Sequence, residues 1–514
     1  MSKTIIIIGA GLAGLSAALQ AAENGCNVKL VSSLPSERAQ SVMAEGGINA
    51  ALNTKDENDS PEEHFTDTIK AACGLADPNA VWGMTQAAPE LVHWLLKLGV
   101  KFNMSGYDDV DLRNFGGQKK KRTAFAQSDT GKQIMTAMID AVRRKEASGM
   151  VERFSHHSFL TLRLCGNICC GCVIRDEYSQ ETVELPGDAV IVATGGMHGL
   201  FGNTTGSLSN TGEVTAELFR LGVPLANGEM IQYHPTTVKC GGKRMLISEA
   251  ARGEGGRLFA MEDGKQWYFM EEKYPELGNL MPRDITAREI WKVSHESEVF
   301  LDMTEISEEI ISNKLSGLAD DCMTYLHKDI RKEPVSVLPG IHYFMGGILV
   351  DEQHRTPIQN LYAAGECCAQ YHGANRLGGN SLLGALYGGR VAAKSACEQA
   401  DVVDLSCATQ IDFPPASQIS EIKQLNKVMQ ETMGVVRNEN TLLNGIQTVQ
   451  ALTGNLPLLG MAVLKSALAR KESRGAHWRE DYPKSNDDDY LKTTVARFDG
   501  KQIQISFVPV PERR

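Results

Sequence analysis

TIIIIGAGLAGLSAALQAAENGCNVKLV, residues 4–31, carries four structural signals in succession. Thr and Ile, all branched at Cβ, suit a parallel strand buried on both faces. Gly9, Gly11 and Gly14 follow at once as G-x-G-x-x-G. The first glycine makes the turn, the second admits a pyrophosphate, and the third lets helix and strand pack closely. A small-residue helix over 15–22, stopped by Asn24-Gly25, leads to a second strand over 27–31. Strand, glycine turn, helix and strand form the context that a dinucleotide-binding turn requires. No acidic residue ends the second strand to meet a ribose; Ser32 and Ser33 stand there, so the contact falls to a hydroxyl or to another segment. Residues 5–22 approach the length of a membrane span, but glycines, Ser16 and Gln20 interrupt them, and a buried strand plus helix is the better reading.

Working outward, 514 residues exceed one ordinary core, so two or three domains are expected. Hydrophobic content of 42% and charged content of 22% are those of a globular protein. A net charge of −11 argues against nucleic acid as a main partner, while leaving room for a locally positive site that takes an anion. There are 12 cysteines but no recognisable signal peptide, so free thiols in a reducing cytoplasm are expected. Cys165, Cys169, Cys170 and Cys172 fit two strands joined at Gly166-Asn167 better than a metal site, because alternate strand residues face opposite ways. No metal is expected. His156-His157 reads as a loop pair, and the basic run Lys119 to Arg122 as a solvated face or a positive rim.

Further glycine-rich turns at Gly46-Gly47, at Phe115-Gly116-Gly117-Gln118 and after the buried strand AVIVATGG (189–196) mark close approach to a planar ligand. From about Asn227 the chain turns to long loops that carry His234, Ser248, Glu249, Arg252 and Arg283. Residues 362–390 then place Glu366, His372, Arg376, Asn380 and Ser381 among seven glycines ahead of a small-residue helix, a setting for an anion beside a cofactor. Beyond 400 the pattern is helical, with a Lys/Arg-rich turn, an acidic loop at Asp487, Asp488 and Asp489, and a β-like tail.

The ordered motifs GAGLAG, MAEGG, FGGQ, ATGG, QYHPT, SEAARGEGG, PRDITARE, HYFMGG, AAGE, HGANRLGGNSL and ARKESRGAH span nearly the whole chain. This set resembles the flavoprotein subunits of fumarate reductase and succinate dehydrogenase, a superfamily shared with L-aspartate oxidase. The resemblance implies an α/β fold: a Rossmann-type FAD-binding domain interrupted by an α+β capping domain, then a helical segment and a C-terminal tail. The implied divisions are 1–226 and 342–402 for the FAD domain, 227–341 for the cap, 403–482 for the helices and 483–514 for the tail. It implies reduction of fumarate to succinate, or the reverse, with hydride from flavin N5 and a proton from Arg283, which Glu249 and Arg252 restore. His234, Ser248, His342, Arg376 and Phe115 are the implied substrate contacts. Gly9, Ala10, Gly11, Gly14, Ser32, Ser41, Glu45, Gly46, Gly47, Ala193, Thr194, Gly195, Glu213, Glu366, Asn380, Ser381 and Leu382 are the implied FAD contacts.

Departures from the family pattern refine this. Gln40 stands where the covalent members carry a flavin-linking His, so FAD is expected to be non-covalent. Glu45 and the non-covalent flavin both lean toward fumarate reduction, and Phe115 leans away from aspartate oxidase; that enzyme, or a reductase or oxidase of another small carboxylic acid, is the alternative reading. Ser248 replaces a Thr, Phe344 replaces a Thr after His342-Tyr343, and Glu213 stands where the family usually has Asp. No cluster-binding cysteines are recognisable, so electrons are expected from an iron–sulfur partner, with any membrane link through partners and a cytoplasmic location.

Overall fold

A computed structural model describes residues 2–106, 109–401, 411, 413 and 418–514. The β-branched run forms β1 (Thr4–Ile8), with Ile5, Ile6 and Ile7 at 0% exposure. Next come α1 (Leu12–Glu23) and β2 (Asn27–Ser32). The helix begins three residues earlier than the sequence suggests, at Leu12 directly after Gly11, and Asn24 caps its end. Both faces of β1 are covered, as expected for a strand inside a parallel sheet.

That sheet runs Leu361–Ala363, Ala189–Val192, β1, β2, Val151–Ser155, every neighbouring pair parallel. Its strands end at Ile8, Ser32, Val192 and Ala363, which places Gly9, Ala193 and Ala364 side by side at one edge. Ligands of open parallel sheets bind outside the carboxyl ends of the strands. The helix Asn380–Gln399 packs against α1 below that edge.

The segment expected to be loops is more regular than its polarity suggests. QYHPTT lies inside the strand Ile231–Cys240, which pairs with Lys243–Leu246 on one side and Leu338–Phe344 on the other. Gln232, His234 and Thr236 are buried there, so the polarity that reads as loop belongs to side chains turned inward. The pairing with Leu338–Phe344 is irregular at His342 and again between His234 and Thr237. Bulges re-aim side chains, and both histidines sit at one. Glu249–Gly253 and Arg283–Val293 are helices, each opening on its first-named residue. A second, antiparallel sheet of Lys265–Trp267, Arg257–Glu262, Val299–Asp302 and Val335–Ser336 closes over its own core.

His157–Cys165 and Ile168–Asp176 form the expected hairpin. Ten of the described cysteines are free thiols. Helices Ile419–Thr432, Glu439–Val449 and Asn455–Ala469 follow, and the division at 402/403 lies outside the described residues. Asp487–Tyr490 is a short helix rather than a loop, and the tail forms the strands Lys492–Phe498 and Ile503–Pro509. The first of these pairs with Leu225–Ala226, tying the tail to the chain just ahead of residue 227. Among the described residues no helix is long and apolar enough to cross a membrane, and no group of three or more His, Cys, Asp or Glu is placed to hold a metal ion.

Candidate active site

One cavity of about 570 Å³ runs from the carboxyl edge of the parallel sheet to the cap strands. At the sheet end it is lined by Gly9, Ala10, Gly11, Ser32, Ser41, Ala193, Thr194 and Gly195, with Ser381 and Leu382 from the head of the 380–399 helix. Gly9 has φ +111°, and a Cβ there would stand 2.3 Å from the carbonyl oxygen of Ala193. A Cβ on Gly14 would stand 1.8 Å from the Gly9 oxygen; Gly14 therefore serves packing and does not line the cavity. Ser32 Oγ is buried without a protein partner, an unpaired hydroxyl of the kind that must find one in a ligand. A long groove, the open N-terminus of α1 and that hydroxyl together fit a dinucleotide.

At the cap end, Arg283 sits between two acceptors. Its Nε and Nη2 donate to Glu249 Oε2 at 2.8 and 2.6 Å, and its Nη1 donates to Gln232 Oε1 at 3.0 Å. Glu249 Oε1 accepts from the Gly116 N–H at 3.1 Å and lies 3.4 Å from Arg252 Nη2, an ion contact without hydrogen-bond geometry. Arg252 Nη1 donates to Asn279 O at 2.6 Å, which keeps this guanidinium behind Glu249 and off the cavity wall. Burial pushes the Glu249 carboxyl up, but Arg283 and then Arg252 outweigh it and hold it below the usual carboxylate range.

His234, His342, Ser248 and Arg376 line the same space. The two imidazoles meet edge to face at 5.1 Å between centroids. Burial, then the nearby Arg283, pushes both pKa values well below the usual range, so both rings are neutral near pH 7. His342 Nδ1 is 2.8 Å from Thr205 Oγ1, and His234 Nδ1 is held by the backbone of Thr236. The Arg376 guanidinium lies 4.3 Å over the Tyr343 ring with its Nε unpartnered. Burial, then Arg283, lowers its pKa to about 9.

Phe115 lies under Gly46, where a Cβ would meet its ring at 2.8 Å. Glu45 also faces the cavity; burial, then Asp321, raises its pKa to about 8. Gly47 and Glu213 line the wall, and burial raises the Glu213 carboxyl. Glu366 accepts from the Phe344 N–H at 3.0 Å. Phe344 itself packs on His198 and Phe201, away from the cavity. Asn380 also lies off the cavity, buried among Asn49, His64 and Thr68, so it fastens the 362–390 stretch from behind.

Sequence reading missed several residues. Gln232 holds Arg283 and also donates to Asn375 Oδ1 at 2.9 Å and Arg376 O at 2.8 Å. Its available signal was position: two residues before His234 in a strand, hence on the same face. Thr205, Tyr343 and Arg244 also line the cavity, as does His157, the second of the histidines read as a loop pair.

The glycine turn, the groove and the unpaired hydroxyl define a flavoprotein of the FAD-binding class, and residues 4–382 match the FAD-binding-domain family. Residues 452–513 match the fumarate reductase flavoprotein C-terminal family. The succinate dehydrogenase flavoprotein subunit of Bacillus subtilis is 38% identical over 576 positions, covering 100% of this chain and 98% of that one. The 8-methylmenaquinol:fumarate reductase flavoprotein subunit of Wolinella succinogenes is 32% identical, covering 100% and 92%. Among solved structures, a mutant of E. coli quinol fumarate reductase FrdA superposes with a TM-score of 0.90 at 27% identity, covering 99% of this chain and 97% of that one. The chain belongs to the flavoprotein-subunit family of succinate dehydrogenase and fumarate reductase, oxidoreductases acting on CH–CH donors.

Proposed function

We propose that this chain interconverts fumarate and succinate, with fumarate reduction the favoured direction. The observation that carries the reading is the Arg283–Glu249–Arg252 chain opening on the same cavity as Arg376 and two neutral histidines. FAD, when bound, supplies hydride exchange at N5. Arg376, His234, His342 and Ser248 hold the two carboxylates, the arginine by charge and the others by neutral hydrogen bonds. Polarising one carboxylate stabilises the carbanion-like charge that builds on the neighbouring carbon. Arg283 gives that carbon its proton. A guanidinium has an ordinary pKa above about 12, so it acts as an acid only toward a strongly basic carbon and with a means of recovery. Glu249, bonded to two of its nitrogens, and Arg252 behind it form that means.

Gln40 cannot form a histidyl–flavin bond, which supports a non-covalent cofactor. With no cluster-forming cysteine set recognisable in the sequence, electrons come from an iron–sulfur partner. The protein works in the cytoplasm and meets the membrane only through partners. Phe115 is apolar where L-aspartate would need a partner for its amine, which disfavours the oxidase reading. With reduced viologen as donor, the flavin-loaded protein should reduce fumarate, and Arg283→Ala should lower turnover at least about a thousandfold while retaining flavin. Undiminished turnover in that variant would reject the role of Arg283; peroxide release with L-aspartate would reject the substrate.

A further inference from the structure

Arg244 lines the cavity half-buried, where Arg283 and Arg376 are buried, and no neighbour neutralises its charge. It lies in the strand Lys243–Leu246. Its Nε donates to Thr237 Oγ1 at 2.5 Å, and its Nη2 donates to the carbonyls of Thr237 and Leu338 at 3.3 and 3.2 Å. All three acceptors are neutral, and among the described residues no carboxylate lies within 4.0 Å of it; Nη1 makes no hydrogen bond. The side chain is therefore fixed along one edge while the other edge keeps its donors. Fixation is structural: a Cβ on Gly340 would stand 2.6 Å from Arg244 Nε, so the guanidinium lies flat over that glycine. Gly340 is two residues along the strand from His342, a spacing of about 6–7 Å. The Arg244 N–H also donates to Thr204 O at 3.2 Å, next to Thr205, which holds His342.

We infer that Arg244 is an outer anion station, taking one carboxylate of a dicarboxylate before the molecule reaches Arg283 and Arg376. A chain of net charge −11 repels a dianion at long range, and a fixed, half-buried guanidinium on the cavity wall reverses that field locally. Because the guanidinium lies over Gly340, two residues before His342, the station adjoins the strand that carries an inner carboxylate contact. This inference rests on the dicarboxylate reading, and its test separates the two.

Malonate, a dicarboxylate with no CH–CH bond to desaturate, is titrated into the flavin-loaded protein and followed by flavin absorbance, alongside fumarate kinetics. Arg244→Gln should weaken malonate binding and raise the KM for fumarate about tenfold at low ionic strength, the ratio for one lost charge-assisted hydrogen bond. The fall in turnover at saturation should be much smaller than the rise in KM. The gap should narrow as salt is added, and Arg244→Lys should recover part of the loss. Unchanged malonate binding in Arg244→Gln at low salt would overturn the station, as would a loss that salt does not alter. Malonate binding that depends on Arg244 in a protein that does not reduce fumarate would uphold the station and sink the fumarate reading.

Discussion

Replacing Gln232 by Leu removes one side chain that braces two arginines. The residue is at 0% exposure, and its amide makes three hydrogen bonds: from Arg283 Nη1, to Asn375 Oδ1 and to Arg376 O. Leucine is close in volume, so the packing term is small and the polar term decides. Losing the acceptor of a charged donor costs about 1.5–3 kcal/mol, and each neutral bond about 1 kcal/mol, for a total near 4 kcal/mol. Part of that appears as lost stability and part as lost order in the site. With Nη1 released, Arg283 keeps only its Glu249 side and swings off the substrate carbon, a displacement of a kind worth about a hundredfold in rate. Steady-state fumarate reduction on flavin-loaded protein should show kcat/KM down about a hundredfold, with kcat carrying the larger share. Gln232→Glu keeps the acceptor but adds a negative charge, so its main effect should be a raised KM for the dianion. Kinetics in Gln232→Leu within threefold of the parent would refute the bracing role.

Two further outcomes are expected. Glu45 has a folded pKa of about 8 against an ordinary 4.5, so between those values the folded chain holds a proton that the unfolded chain releases. Stability from this group is thus complete below about pH 4.5 and is lost as pH rises to about 8. Melting temperatures of Glu45→Gln and the parent should therefore diverge in favour of the variant across that window, and a gap independent of pH would refute the assignment. Gln40 predicts that acid precipitation leaves the flavin in the supernatant, and yellow protein in the pellet would refute non-covalent binding.

The sheet was legible in the sequence because its signals are local. A β-branched run, glycines at fixed spacing and a small-residue helix each act within a few residues of themselves; β1 and β2 lie where those signals place them, and α1 starts three residues earlier. What stayed hidden depends on distant partners. The run from Lys119 to Arg122 reads as a solvated face or rim, yet Arg122 is at 0% exposure between Asp59 and Asp67, both more than fifty positions upstream. The Lys/Arg-rich turn near 470 likewise buries Arg470 against Glu229, which no local pattern could announce. QYHPTT reads as loop because period-2 reasoning expects apolar residues on the buried face. Here that face holds Gln232, His234 and Thr236, satisfied by hydrogen bonds across the site. Gln232 escaped for the same reason: its importance lies in what it touches, and its partners sit at 283, 375 and 376.

Charge is the property that ties these parts together. Around the inner cavity, Arg283 and Arg376 share the space with the carboxyl groups of Glu249 and Glu366, and Arg252 stands behind Glu249. Glu45 adds nothing below about pH 8, because its proton stays on. The histidines matter for the same reason: held neutral, they donate hydrogen bonds without adding charge. Were both protonated, ground state and transition state would bind more tightly alike, which lowers KM without raising turnover. Burial beside Arg283 prevents this, so on the proposed mechanism the arginine assigned the proton transfer also keeps its neighbours from holding substrate and product too firmly. The electrostatic effect of Arg283 is thus inseparable from the acid role proposed for it, and any substitution there alters the charge state of the pocket as well as removing the proposed proton donor.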